Sequence, residues 1–234
     1  MPTDELNAEH FLANGHLEIE GRMPWSSNAT FLAVVCVDGI EQRAIYKPVR
    51  GERPLWDFEP GLHRRECAAY RLSRFLGIEI VPPTVIRDGP LGTGSVQWFV
   101  EADHREHYFT IFEQRADLHD QLRSIAMFDL IANNTDRKSG HCLLAGDRVW
   151  AIDHGLCFAA DWKLRTVIWE FGGEPIPEAL LDTAAPLAER IPLDLAALLD
   201  DQEAEALLSR VAAILADPVF PIDTSGQRYP WPLI

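Results

Sequence analysis

Long apolar runs are missing from this chain. Nowhere do about 18 consecutive apolar residues occur, so no segment reads as a transmembrane helix. The opening residues, MPTDELNAEH, hold neither a basic stretch nor an apolar one, which leads to the expectation of a cytoplasmic protein. Basic residues are scarce as well: 21 Lys and Arg stand against 36 Asp and Glu, a formal net charge of −15. Nucleic acid and anionic membrane both require positive surface, so neither is expected as a partner, and no integral membrane association is expected. His63, Arg64 and Arg65 form a small local exception. The four cysteines (Cys36, Cys67, Cys142 and Cys157) lack CxxC spacing and lie among apolar neighbours. They are expected as buried free thiols rather than a disulfide or zinc site. Repeats and low-complexity tracts are absent, and 234 residues suffice for one large domain or two small lobes around a cleft.

The most informative stretch is residues 128–158, FDLIANNTDRKSGHCLLAGDRVWAIDHGLCF. It holds two acidic groups, Asp136 and Asp153, on either side of a tight hairpin with strands at 142–144 and 149–152. Both carboxylates are expected at the ends of short apolar strands or loops, directed into one cleft. A base or substrate-orienting carboxylate beside a metal-binding one suits phosphoryl transfer from a nucleotide. The preceding helix, 117–132, carries Leu118, Leu122, Ile125, Ala126 and Leu130 on one stripe. Asp129 falls near that stripe, so it needs donors and is expected to cap the loop that follows.

Upstream, a short helix at 4–16 precedes strands at 17–21 and 31–37. Between them Ser26, Ser27 and Asn28 are small polar turn formers, able either to fold amides over a phosphate or simply to connect a hairpin. The strand at 43–49 alternates, with Ala44, Tyr46 and Pro48 on one face and Ile45 and Lys47 on the other. A lysine on an apolar strand face needs an anion or must snorkel at an edge, and Pro48 favours an edge. Helix 62–76 places Glu66 in its first turn, where it serves the helix dipole or pairs with Lys47. Strands at 78–86 and 95–101 are joined by the glycine-rich turn 88–94, read as a wide hairpin loop. At residue 101 the composition turns polar, which sets a boundary between a β-rich unit, 1–101, and a helical unit, 102–234. Helices follow at 178–190 and 202–216, the second with Asp201 as candidate N-cap, and the proline-rich tail from 217 is expected irregular or docked.

The order of these features resembles the phosphatidylinositol 3-/4-kinase-like branch of the protein-kinase fold, and within it a set of small bacterial proteins. The resemblance covers roughly residues 15–175. NNTDRKSGH (133–141) and AIDHGLCF (151–158) look like the catalytic loop and the metal-binding motif of type II phosphatidylinositol 4-kinases. The fold implied is α+β and two-lobed, protein-kinase-like, with a β-rich N-lobe and a mainly helical C-lobe. The resemblance implies that Ser26, Ser27 and Asn28 cover the phosphates, that Lys47 holds them, and that Glu66 orients Lys47. It implies an inter-lobe hinge at Gln97, Trp98, Phe99 and Val100, whose backbone hydrogen-bonds adenine. Asp136 matches the catalytic aspartate, Arg137 the catalytic-loop arginine after it, and Asp153 a magnesium ligand.

One position departs from the pattern. Where the family places a metal-binding asparagine, five residues after the catalytic aspartate, this chain has His141. Imidazole can ligate a divalent ion but magnesium prefers oxygen, so a manganese preference, a one-metal site or weakened catalysis is implied. Lys163 and Arg165 either bind an anionic acceptor or form a solvated basic face. With no lipid-insertion helix and no polybasic anchor, a membrane lipid is not the favoured substrate. The expected activity is therefore ATP-dependent transfer of the γ-phosphate to a hydroxyl acceptor, a small molecule or a protein, with Mg or Mn as the ion. A nucleotide-binding pseudokinase regulating a protein partner, and an AMP transferase, stand as alternatives.

Overall fold

The computed structural model describes residues 5–24, 28–55, 58–103 and 105–233. Its first half is built on one antiparallel sheet of five strands: β1 (His16–Arg22), β2 (Phe31–Val37), β3 (Ile40–Pro48), β4 (Thr84–Gly89) and β5 (Gly92–Trp98). Their order is β1-β2-β3-β5-β4. Period-two alternation decides which face is covered. Ala33 and Val35 of β2, Ala44 and Tyr46 of β3, and Val96 of β5 pack together beneath Leu12 of α1 (Glu5–Asn14). Ile45 and Lys47 project from the other face, half-buried.

Pro48 does not mark an edge. It is the last residue of the central strand, opposite Gly94, where the missing N–H no longer interrupts a ladder. The expected wide loop at 88–94 is instead a tight hairpin, because Gly89 pairs with Gly92 and leaves only Pro90 and Leu91 in the turn. The strand expected from residue 78 begins only at Thr84. Pro82 and Pro83 cannot donate to a ladder, and Ser73 Oγ instead accepts the amides of Ile80 and Val81 at 2.9 and 3.2 Å.

Helix α2 (Leu62–Phe75) buries Ala68, Ala69, Tyr70 and Leu72 into the main core, which continues through Leu122, Ile125 and Phe128 of α4 (His119–Ala132). Each such large apolar side chain contributes roughly 1.5–3 kcal/mol on burial. A helix the composition concealed, α3 (Tyr108–Gln114), follows the polar segment after residue 101. It buries Tyr108 and Ile111, and the Tyr108 hydroxyl donates to Glu170. The two-stranded hairpin β6 (Cys142–Ala145) and β7 (Arg148–Ala151) comes next, tied to the first half where Ala151 N–H donates to Ile80 O at 2.8 Å. The last helices are α5 (Glu178–Glu189), α6 (Leu193–Ala196) and α7 (Asp201–Ala216). The N-cap of α7 is Asp200 rather than Asp201: its carboxylate accepts the Glu203 amide at 2.8 Å, and Glu203 Oε2 accepts the Asp200 amide at 3.1 Å. All four cysteines are free; Cys67, Cys142 and Cys157 are buried, while Cys36 is half-buried on β2.

Candidate active site

Lys47 and Glu66 meet, as the sequence leads one to expect, and Asp153 joins them. The Lys47 ammonium donates to Glu66 Oε1 and, at 2.7 Å, to Asp153 Oδ1. Glu66 lies in the second turn of α2 rather than the first, too far in for the dipole to hold it. Its other oxygen, Oε2, accepts the amide of His154 at 3.1 Å. One glutamate thus binds both the strand lysine and the residue after Asp153. Asp153 adopts φ 60°, a left-handed conformation that aspartate tolerates better than most residues.

Burial works against a charge on Lys47, but the carboxylates of Asp153 and Glu66 outweigh it and hold the ammonium protonated. Burial pushes Glu66 up, and the Asp153 charge adds to that push against Lys47. Burial would raise Asp153 as well, yet the Lys47 ammonium above all holds it far below the usual carboxylate range. Of the two carboxylates, Asp153 is the more firmly ionised.

A narrow cavity of about 50 Å³ opens here, lined by Asn28, Lys47, Glu66, Asp136, Asp153 and Gly155 among others. Asn28 Oδ1 accepts the amide of Arg53 at 3.0 Å, which ties this part of the lining to the segment after β3. Burial, opposed by Lys138, pushes the Asp136 carboxyl up to about 6, into the range where a base works near neutral pH. Lys138 Nζ lies 3.1 Å from Asp136 Oδ2. A wider groove of about 620 Å³, lined by Leu130, Trp162, Arg210 and Ile214 among others, lies away from these carboxylates and collects no comparable set of groups.

Arg137 requires a correction. Expected to act in catalysis, its side chain is wholly buried and does not line the cavity. Its Nε and Nη2 donate to Asp129 Oδ2 and Oδ1, both at 2.9 Å. Nη2 also donates to His154 Nε2 at 2.7 Å, and Nη1 to the carbonyls of His141 and Ile152 at 3.2 and 3.0 Å. Asp129, read as a loop cap, is thus the anionic centre of this network, and Asn134 Nδ2 donates to it at 2.9 Å. Asn134 Oδ1 in turn accepts the amide of Asp136 at 3.0 Å. The loop carrying Asp136 and the segment carrying Asp153 are therefore fastened to one guanidinium.

His141 points between the two aspartates. Its Nδ1 lies 2.9 Å from the carbonyl oxygen of Asp136, an acceptor, so Nδ1 carries the proton. Burial, opposed by the Asp153 charge, lowers its pKa to about 4, so the ring is neutral near pH 7. Nε2 then offers a lone pair 3.4 Å from Asp153 Oδ2, itself an acceptor. Two acceptors facing each other fit a cation between them, and cis ligands on an ion at 2.0–2.1 Å stand about 3 Å apart. Among the described residues no three His, Cys, Asp or Glu side chains form a closed metal group, so further ligands would be water and phosphate oxygens.

The remaining expected residues divide. Ser26 and Ser27 lie outside the described residues. Gln97 and Trp98 belong to β5 rather than to a connection: Gln97 Nε2 donates to Thr84 Oγ1 at 2.9 Å, and the Trp98 ring packs against Phe11. The amides of Trp98 and Phe99 are taken by the carbonyls of Pro83 and Arg43, and Val100 is buried. Lys163 and Arg165 lie on the segment after Phe158, their amides bonded to Asn133 Oδ1 and Asn134 O at 3.0 and 2.9 Å. Residues that sequence reasoning missed are Lys138, Asn134 and His154; NNTDRK already held the first two as a charge and an amide flanking the aspartate.

Solved kinase structures share this architecture. The Helicobacter pylori proinflammatory kinase CtkA is 11% identical, with a TM-score of 0.55 over 89% of this chain and 94% of that one. The Golgi casein kinase with Mn and ADP bound is 15% identical, with a TM-score of 0.58 over 98% and 80%. Hydra Fam20 with sugar is 12% identical, with a TM-score of 0.56 over 92% and 89%. These likenesses define the class: a kinase-like fold with an antiparallel sheet ahead of a helical part. The family model described as phosphatidylinositol 3- and 4-kinase matches residues 88–207. Protein Rv2133c of Mycobacterium tuberculosis is 37% identical over 259 residues, spanning 94% of this chain and 93% of the relative. The chain belongs to the phosphatidylinositol 3- and 4-kinase family. Among the described residues no helix is long and apolar enough to cross a membrane.

Proposed function

We propose that this protein transfers the γ-phosphoryl group of ATP to a hydroxyl acceptor, with residues 1–101 as the nucleotide-covering lobe and 102–234 as the catalytic lobe. The observation that carries this is the convergence of Lys47, Glu66, Asp136 and Asp153 on one cavity. Lys47, oriented by Glu66, exchanges Asp153 for phosphate oxygens when nucleotide binds. Asn28 belongs to the wall over those phosphates, and the backbone at the end of β5, towards Val100, is the hinge proposed to meet adenine.

Asp136 takes the acceptor proton, and its raised pKa suits it to do so near neutral pH. Lys138, 3.1 Å from it, faces the charge developing on the transferred group. Asp153 and His141 would hold a divalent ion, which neutralises charge on the β- and γ-phosphates when bound. The imidazole ligand favours manganese over magnesium relative to an asparagine there. Arg137 does not touch the substrate; it fixes the geometry of the two loops.

Incubation with ATP and either ion, followed by mass spectrometry of the protein and of candidate acceptors, tests the reading. Added phosphoryl mass that Asp136→Ala abolishes, in a variant with an unchanged melting curve, is the expected result. Added adenylyl mass would replace phosphoryl transfer with AMP transfer. Metal-dependent ATP binding without any transfer would leave a nucleotide-binding regulator. Full activity in Asp136→Ala would remove Asp136 from the chemistry.

A further inference from the structure

Arg65 stands one residue before Glu66 and therefore about 100° around the helix from it. Its Nε and Nη2 donate to Glu203 Oε1 at 3.1 and 2.6 Å, and its Nη1 donates to the Glu59 carbonyl at 2.9 Å. Glu203 lies in the first turn of α7, and its second oxygen is held by the Asp200 amide. Both side chains of this pair are under a tenth exposed. Consecutive residues of α2 thus enter two ion pairs that point to different bodies. Arg65 ties the helix to α7, while Glu66 ties it to Lys47 of β3.

Other fastenings run along α2: Cys67 Sγ donates to the Thr84 carbonyl at 3.5 Å, and the exposed Arg64 Nη2 to the Ala197 carbonyl at 3.4 Å. Glu52 accepts the amides of Gly61 and His63 at 3.0 Å each and so fixes the N-terminal end. Glu9 of α1 binds Arg71 at 2.9 Å, pairs with Arg74 and accepts from the Tyr70 hydroxyl at 2.8 Å, all on later turns. Arg65 is the buried ion-pair anchor adjacent to Glu66, and a rotation of α2 that carried Glu66 off Lys47 would also pull Arg65 off Glu203. A buried ion pair adds little net stability over an apolar pair, whereas its fixed geometry constrains the rotation of α2.

We propose that Arg65 and Glu203 are positioning residues that hold α2 at the rotation where Glu66 reaches Lys47. The lysine is thereby oriented before any nucleotide arrives. The benefit to catalysis rests on the phosphotransferase reading above; the latch itself does not.

The chain has only three lysines, Lys47, Lys138 and Lys163, so acylation of each can be followed separately by mass spectrometry. The experiment measures the acylation rate of Lys47 relative to Lys163 in the nucleotide-free protein and in Glu203→Gln, Arg65→Met, Arg65→Lys and Glu66→Gln. Glu203→Gln and Arg65→Met are expected to raise the Lys47 rate at least fivefold, towards that of Glu66→Gln. Adding Glu66→Gln to either should raise it by less than twofold more, because both act through the same contact. Arg65→Lys should fall between. A folded Glu203→Gln or Arg65→Lys with an unchanged Lys47 rate, or effects that multiply with Glu66→Gln, would overturn the latch. Failure of Arg65→Met to fold leaves the near-isosteric Glu203→Gln to decide. Because the readout needs no nucleotide, absence of ATP binding would sink the phosphotransferase reading alone. Phosphoryl transfer with Lys47 reactivity unmoved would sink the latch alone.

Discussion

Replacing Arg137 by methionine should be among the most damaging single changes to the fold without altering any group that lines the cavity. The guanidinium is fully buried and makes five hydrogen bonds. Its removal leaves the buried Asp129 carboxylate with the Asn134 amide as its remaining side-chain donor. Breaking a buried pair from one side costs about 3–5 kcal/mol, against a total stability of roughly 5–15 kcal/mol for a domain. Because Asn134 remains, about 4 kcal/mol is expected, equivalent to a fall in Tm of roughly 8–16 °C for a chain of this size. Urea unfolding followed through the seven tryptophans measures the loss directly. Asp129→Leu combined with Arg137→Met should recover part of it, with a coupling of about 2 kcal/mol or more. A loss below about 1 kcal/mol, or strict additivity of the two changes, would refute the network as the element that sets the two loops.

His141→Asn should lower the ratio of manganese- to magnesium-supported activity at least tenfold; initial rates with each ion check this, and an unmoved ratio would take His141 off the metal. Burial would raise the Glu52 carboxyl, but the His63 ring and the amides of Gly61 and His63 hold it down to about 2, against 4.5 unperturbed. A folded value below the unfolded one contributes stability in full above about pH 4.5, lost as pH falls toward 2. Glu52→Gln should therefore flatten the acid limb of stability against pH in that window, and superimposable limbs would contradict the assignment. Gly94→Ala would drive a methyl group into the Lys47 carbonyl and to 2.7 Å from Pro48 Cα. It should cost about 2–3 kcal/mol and weaken nucleotide binding together, since the strand that presents Lys47 must shift; thermal melts and ATP titration of the same sample read both.

Much of the site was legible because its parts obey local periodicity. Lys47 stood out as a charge on the same strand face as Ile45, and Glu66 as the helix carboxylate about one element later. The hairpin between Asp136 and Asp153 announced itself through two short apolar runs around a glycine turn. Arg137 was misread because its role depends on where α4 places Asp129, a tertiary fact with no local mark. Where β5 ends had no local mark for a similar reason: Gln97 and Trp98 still pair within the sheet, and only the pairing of β5 with β3 and β4 shows where the ladder ends. Helix α3 was hidden by the polar residues before it, whose apolar partners are supplied by the core rather than by neighbours in sequence. Pro82 and Pro83 could have warned against a strand there, had their missing N–H groups been weighed above the β-branched residues around them.

The guanidinium of Arg137 has consequences for how such a chain can change over time. Asp129, Asn134, Arg137 and His154 are joined by hydrogen bonds, so a substitution at any one removes a partner from at least one of the others. Single steps through this quartet should each carry a stability cost that paired changes reduce. A randomised library should return these four positions either intact or replaced as a set, whereas positions such as Trp162 and Leu193, exposed and bound to no such circuit, should vary independently.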